Sequence, residues 1–187
     1  PAFVERMNRR AADLGLTHTT FRTPHGLPPA NRRIAEGDLT TPRDLALLSR
    51  HLLERTDILT YTSVKVRDFR PGHPTARIEM RNHNHLLGSV AGVDGLKTGY
   101  TASAGFCLAA SATRDGRRVV AVIMGAPERR LRDIKMAELI ERGFAALPAA
   151  PALNVPRTQP VISHAPLPPE AKTEESSPVI KFNLPPR

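Results

Sequence analysis

The chain is 187 residues long and 40% apolar, and 27 Lys plus Arg against 18 Asp plus Glu give it a formal charge of +9 at pH 7. That length suits one ordinary domain with one modest core and excludes two large ones. No apolar run approaches the roughly 20 residues of a membrane-spanning helix and no signal-type apolar segment is visible, while a single cysteine, Cys107, excludes an intramolecular disulfide framework and a Cys-rich zinc site. The arginines are scattered in pairs such as Arg9-Arg10, Arg32-Arg33, Arg117-Arg118 and Arg129-Arg130, and aromatics are 4% with no Trp. Nucleic-acid binding is therefore a poor reading of the charge, because stacking platforms are scarce and the cations form no single cluster. A solvated surface, or attraction to an anionic polymer such as cell wall or lipid headgroups, accounts for it better.

The chain starts at Pro1 and runs at once into an amphipathic pattern, so its beginning reads as cut. Phe3, Val4, Met7, Ala11 and Leu14 recur at helical spacing and Gly15 supplies a stop, which predicts a helix over 2–14. The stretch 17–38, rich in Pro, Gly and polar residues, reads as a structured loop. Thr41-Pro42-Arg43-Asp44 opens a second helix, with Thr41 as cap, Pro42 in the first turn and Asp44 near the positive end of the dipole. Its apolar face is Leu45, Leu48, Leu52 and Leu53, and it ends near Arg55. The period then drops toward two. Strands are expected over 62–69 and 76–81 as a hairpin, and over 106–113 and 118–125 as a second hairpin turned by Asp115-Gly116. The run 119–124 reads as buried on both faces, and a closing helix over 129–147 turns Ile134, Ala137, Leu139, Ile140 and Phe144 inward. Helices, antiparallel strands and a last helix make an α+β domain, an antiparallel sheet flanked by helices. Beyond it, 10 of the 18 prolines and no glycine fall in 148–187, which reads as an extended Pro-rich, disordered tail.

The stretch that carries chemistry is Gly92-Val93-Asp94-Gly95-Leu96-Lys97-Thr98-Gly99-Tyr100-Thr101. On or at the start of a strand, the Lys97 ammonium supplies charge to a carboxylate, the Thr98 hydroxyl gives a directed hydrogen bond, and Gly99 lets a substrate backbone lie against the strand edge. A tripeptide alone also suits a plain turn before a strand. Its surroundings add to it, in order: Met7-Asn8, Leu14-Gly15-Leu16, Thr23-Pro24-His25-Gly26-Leu27, Thr41-Pro42-Arg43-Asp44-Leu45-Ala46, Asn82-His83-Asn84-His85-Leu86-Leu87 and Ala104-Gly105-Phe106-Cys107.

Over residues 2–147 this series resembles the serine D-Ala-D-Ala carboxypeptidases, the low-molecular-mass penicillin-binding proteins that trim peptidoglycan stem peptides. The resemblance implies a β-lactamase/DD-peptidase-like fold lacking its N-terminal portion, with 1–147 as part of the catalytic domain. It implies that Lys97 and Thr98 hold the terminal carboxylate of D-Ala or of a β-lactam, that Gly99 keeps the edge open, and that the backbone N–H of Tyr100 is an oxyanion-hole donor. It also implies the peptidoglycan pentapeptide as substrate, β-lactams as inhibitors, no metal or organic cofactor, and a periplasmic or extracytoplasmic place of work. Membrane association is left open, since the tail matches no amphipathic anchor. One departure stands out: no serine begins a Ser-x-x-Lys or a Ser-x-Asn. In the family both motifs precede the Met-Asn helix, so the chain is expected to be inactive by itself.

Blander readings hold elsewhere. His83 and His85, two apart, would share one side of a strand as zinc ligands sometimes do, but without a third ligand at set spacing a polar loop is preferred. Asn82 and Asn84 anchor that loop beside the Lys97 strand, His25 belongs to a structural turn, Asp94 fixes a turn, and Cys107 is a buried, inert thiol. Two further functional classes compete with the hydrolase: a non-catalytic wall-binding pseudo-enzyme, and a nucleic-acid binder that would need its arginines gathered on one face.

Overall fold

In the computed structural model, residues 2–27, 36–70, 72 and 75–148 are described, so the proline-rich tail and its expected disorder lie outside the described residues. Local signals set the first helices. Helix α1, Ala2–Asp13, stops where Gly15 takes a positive φ of 71° and Leu16 N–H returns to the Ala11 carbonyl at 2.9 Å. Helix α2, Pro42–Arg55, begins as its residues dictate: the Thr41 hydroxyl accepts the Asp44 N–H at 3.2 Å and Pro42 fills the first turn.

Asp44 does more than face a dipole. It is 2% exposed and accepts hydrogen bonds from His18 N and Thr19 Oγ1, each at 2.8 Å, tying the loop after α1 to α2. Burial pushes its carboxyl up, but the bonds from Thr19, His18 and Thr41 outweigh it and hold the pKa below the ordinary value. Asp38 closes the same loop through Arg22 N at 2.7 Å and Thr23 N at 2.9 Å, beside the Thr20–Leu39 bridge.

The first hairpin is shorter than its sequence period suggests. Thr62, the first residue of the expected strand 62–69, instead ends the short helix α3, Leu59–Thr62, closed by Ser63 N–H and its hydroxyl on the Leu59 carbonyl. Strands β1, Val66–Phe69, and β2, Ile78–Arg81, then pair antiparallel, Val66 opposite Arg81. The main sheet has three antiparallel strands in the order β3-β4-β5: β3 Val93–Thr101, β4 Gly105–Arg114 and β5 Arg117–Ala126. Asp115 and Gly116 both take positive φ, 49° and 72°, as a two-residue hairpin turn requires.

Helix α4, Arg129–Ala146, covers one face of this sheet. Leu108, Ala110 and Ala112 of β4, with Val119 and Ala121 of β5, pack against Met136, Ile140 and Phe144. Two expectations need correction here. Ile134 is 47% exposed, because the buried stripe of α4 runs through Arg132, Met136, Ile140 and Phe144. The run 119–124 is not buried on both faces: Val119 and Ala121 are buried while Val120, Val122, Ile123 and Met124 are half-buried. Alternation turns Cys107, Ala109 and Ser111 of β4 to the opposite face, where α2 lies. The architecture is α+β, an antiparallel sheet between helices, and no helix of the described residues is long and apolar enough to cross a membrane.

Candidate active site

Lys97, Thr98 and Gly99 lie in the middle of β3, opposite Ala109, Leu108 and Cys107 of β4. Because β3 is the outermost strand of its sheet, its far edge has no partner strand among the described residues. The N-terminal half of β3 is held from behind. A bulge falls between Val93 and Gly95, and Asn84 Nδ2 donates to the Gly95 carbonyl at 3.1 Å while its carboxamide oxygen accepts Leu86 N–H. Asn82 Nδ2 donates to the carbonyls of Thr62 and Val64. The two asparagines therefore anchor the loop beside the strand as their placement suggested.

Asp94 has a different job from fixing a turn. It accepts from the hydroxyl of buried Ser111, from Thr113 Oγ1 at 3.3 Å, and from Arg118 Nη1 at 2.8 Å. Residues of all three strands thus meet in one polar cluster, which ties β3 to β4 and β5 three residues before Lys97. Cys107 is half-buried rather than buried, and its thiol points to the Ala104 carbonyl at 3.5 Å.

The C-terminal half of β3 opens on a cleft of about 470 Å³. Its walls include Lys97, Thr98, Gly99 and Tyr100 of β3, His25 and His83 from two loops, and Arg129 and Arg132 from the first turn of α4. The Lys97 ammonium bends back onto the Thr98 carbonyl. Tyr100, which also lines the cleft, stacks on Phe106 with ring centroids 4.3 Å apart, a contact that braces β3 against β4. His83 and His85 sit in a loop, not on a strand, and they part: His83 faces the cleft, while His85 Nδ1 lies 3.7 Å from Asp133. His25 keeps its turn by accepting Leu27 N–H at 3.0 Å and still lines the cleft.

Arg132 is the residue that sequence reasoning missed. It is 2% exposed, with Nε and Nη2 on Asp133 Oδ1 at 2.9 and 2.6 Å and Nη1 on the Cys107 carbonyl at 3.3 Å. The guanidinium is thus a buried charge at the cleft wall, held in place by the Asp133 carboxylate and the Cys107 carbonyl. The signal was present, since Arg132 falls on the i, i+4 stripe with Met136 and Ile140, where a charge has no reason to be unless something uses it. Chemically, the cleft can take a carboxylate against Lys97, Thr98 and Arg132 and lay an extended peptide along the free edge of β3. Its residues include no hydroxyl paired with a lysine base, and Thr98 makes no side-chain hydrogen bond.

Comparison with known proteins agrees with this arrangement. The family model described as D-alanyl-D-alanine carboxypeptidase matches residues 1–128. DacC of Escherichia coli is 40% identical over 144 residues, which is 76% of this chain and 33% of that protein. DacF of Bacillus subtilis is 33% identical over 143 residues, 76% of this chain and 35% of that one. The chain therefore spans about a third of the length of these curated relatives. Among solved structures, penicillin-binding protein D2 of Listeria monocytogenes in its ampicillin-bound form superposes with a TM-score of 0.66 at 33% identity, covering 76% of this chain and 55% of that one. DacD of Francisella tularensis does so with 0.64 at 26% identity, covering 75% and 44%.

Proposed function

Because the chain belongs to the D-alanyl-D-alanine carboxypeptidase family, we propose that its cleft receives the D-Ala-D-Ala end of a peptidoglycan stem peptide for a serine-type acyl transfer. The single observation that carries this reading is that Lys97, Thr98 and Arg132, from β3 and α4, line one cleft at the open edge of the sheet. The terminal carboxylate rests on the Lys97 ammonium, the Thr98 hydroxyl and the Arg132 guanidinium. The penultimate residue runs along β3, where Gly99 has no side chain to block it, and the Tyr100 N–H polarises the scissile carbonyl and stabilises the oxyanion. A serine hydroxyl, its proton taken by a lysine, attacks that carbonyl; the C–N bond breaks, D-Ala leaves, and water hydrolyses the acyl-enzyme.

No Ser-x-x-Lys occurs within the 187 residues. What this chain's own residues carry is therefore the capture of the carboxylate and the oxyanion, and a β-lactam enters as a mimic of the same peptide end. The work belongs outside the cytoplasm, at the cell wall. We assign residues 1–147 to the catalytic-domain portion and 148–187 to a Pro-rich extension. A second reading, a wall-binding pseudo-enzyme, would use the same cleft without acyl transfer.

Titration of the isotopically labelled chain with a peptide ending in D-Ala-D-Ala tests both. Amide shifts confined to 97–101 and the first turn of α4, displaced by ampicillin and lost in K97A, are expected. The same shifts with the C-terminal amide of that peptide would overturn the assignment. A fluorescent penicillin then separates the two readings on the native protein: covalent labelling is the acyl-transferase outcome, reversible binding alone the pseudo-enzyme one.

A further inference from the structure

A guanidinium has five N–H donors, and in Arg132 three of them are engaged within the protein. Asp133 Oδ1 accepts from Nε at 2.9 Å and from Nη2 at 2.6 Å, and the Cys107 carbonyl accepts from Nη1 at 3.3 Å. Among the described residues one N–H is left on each terminal nitrogen, and those two nitrogens are a pair that a carboxylate can bridge. The Arg132 side chain is 3% exposed, so these contacts and not solvent set its orientation. Asp133 keeps a second oxygen. Its Oδ2 lies 3.7 Å from His85 Nδ1, with side-chain exposures of 15% for Asp133 and 52% for His85. His85, Asp133 and Arg132 thus form a row that leads from the surface to the cleft wall. Capture of a carboxylate by Lys97 and Thr98 accounts for neither Asp133 nor His85.

We propose that Asp133 is a positioning residue for the terminal carboxylate, acting through Arg132, and that the charge on His85 adjusts how strongly Arg132 receives it. The inference rests on the D-Ala-D-Ala reading of the cleft and adds to it two residues outside the contacts with the peptide. With Oδ1 across Nε and Nη2, Asp133 fixes the guanidinium plane before the peptide arrives, so binding need not order a long side chain. The same carboxylate neutralises part of the Arg132 charge. A protonated His85 draws on Asp133 from its other oxygen and leaves more of the Arg132 charge for the peptide. The groove around His85 is lined by Arg129, Arg130, Asp133 and Ile134 of α4 and by Phe106 of β4. The two arginines oppose a charged ring and Asp133 favours it. By linkage, carboxylate binding and protonation of His85 favour each other, so the peptide is held more tightly below the ordinary histidine pKa of about 6.5 than above it.

Calorimetric titration of the chain with an N-acetylated peptide ending in D-Ala-D-Ala, and with its C-terminal amide, decides it between about pH 5.5 and 8, where the peptide carboxylate stays ionised. The acid should bind more tightly as pH falls, and the gain should be about threefold larger in the unsubstituted chain than in H85Q, as an exposed ion pair allows. His25 and His83 also line the cleft, but both proteins carry them, so the difference belongs to His85. D133N should bind the acid about fivefold more weakly, because the peptide must then order the Arg132 side chain itself. In that background His85→Gln should change nothing further. Superimposable pH profiles for the unsubstituted chain and H85Q would overturn the His85 link. Unchanged binding by D133N would overturn the positioning role, and tighter binding would do so by showing that Asp133 competes with the peptide for Arg132. Each of these results, with the amide still excluded, leaves the D-Ala-D-Ala reading standing. Amide bound as tightly as the acid, or neither bound, would overturn both. H85Q alters only an exposed side chain, and because His85 reaches the carboxylate through Asp133, its profile decides the whole row even if D133N fails to fold.

Discussion

The two faces of the three-stranded sheet are built from the same strands and differ sharply. The face under α4 is dry and close-packed: Leu108, Ala110, Ala112, Met136 and Ile140 are essentially inaccessible, and Gly143 brings the helix so near that an added Cβ would stand 2.7 Å from Val119 Cγ1. The face under α2 holds a cavity of about 420 Å³ lined by Leu45, Leu48, Leu52, Leu96, Cys107 and Ala109. Beside it lies the polar cluster of Asp94, Ser111 and Arg118. The tightest packing is on the first face, the second holds the open cavity, and the Lys97 cleft lies at the edge of β3. Interiors at crystal-like density tolerate little change, whereas a loosely filled face can host chemistry without unfolding the domain.

That contrast can be broken by mutation. Ile140→Ala, which empties a fully enclosed site, should cost about 3 kcal/mol in urea unfolding. Leu52→Ala, on the half-buried α2 face, should cost only about 1 kcal/mol, since its surroundings are already open. Equal losses would mean that the two faces are equally packed. Adding a methyl sharpens the same point: Gly143→Ala should lose about 1 kcal/mol despite its better helix propensity, because stiff Val119 must move. Ala109→Val, facing the cavity, should be neutral within ~0.5 kcal/mol. Ser111→Ala then tests the polar cluster; with its hydroxyl gone, Asp94 and Arg118 lose a buried bridge worth about 1 kcal/mol. A larger fall in D-Ala-D-Ala affinity than in stability would show that the cluster positions β3.

Much of this was legible where one residue type dictates one geometry. Thr41-Pro42 fixed the start of α2, Asp115-Gly116 the turn of the main hairpin, and Lys97-Thr98-Gly99 the centre of the cleft. The misreadings came from tertiary context. The expected strand 62–69 forms only from Val66, because Thr62 ends a helical turn that Ser63 closes on the Leu59 carbonyl. Ile134 fits an apolar helical spacing but faces solvent, because the stripe that meets the sheet begins at Arg132. That Arg132 and His83 line one cleft with Lys97 was not legible for the same reason. No local pattern brings α4's first turn and the Asn82–Asn84 loop to β3; the sheet does.

The smallest effect expected lies at the rim of the well-packed face, where Arg114 joins Glu141 by two hydrogen bonds of 2.7 and 2.6 Å and lies over the Phe144 ring at 4.4 Å. The bond from Arg114 holds the Glu141 carboxyl below its ordinary pKa. A carboxyl lowered in the folded state stabilises it above the unfolded value, about 4.3, and that share disappears as pH falls through the folded pKa. Arg114 stays charged throughout, so its contact with Phe144 survives acid. Glu141→Gln should therefore lower the urea midpoint slightly at about pH 6 and converge with the native chain near pH 3. Arg114→Ala should lower it at both, having lost the ring as well as the carboxylate. A Glu141→Gln deficit that stays constant with pH would mean that the pair is held by geometry rather than by charge, and that the rim belongs to the packed face after all.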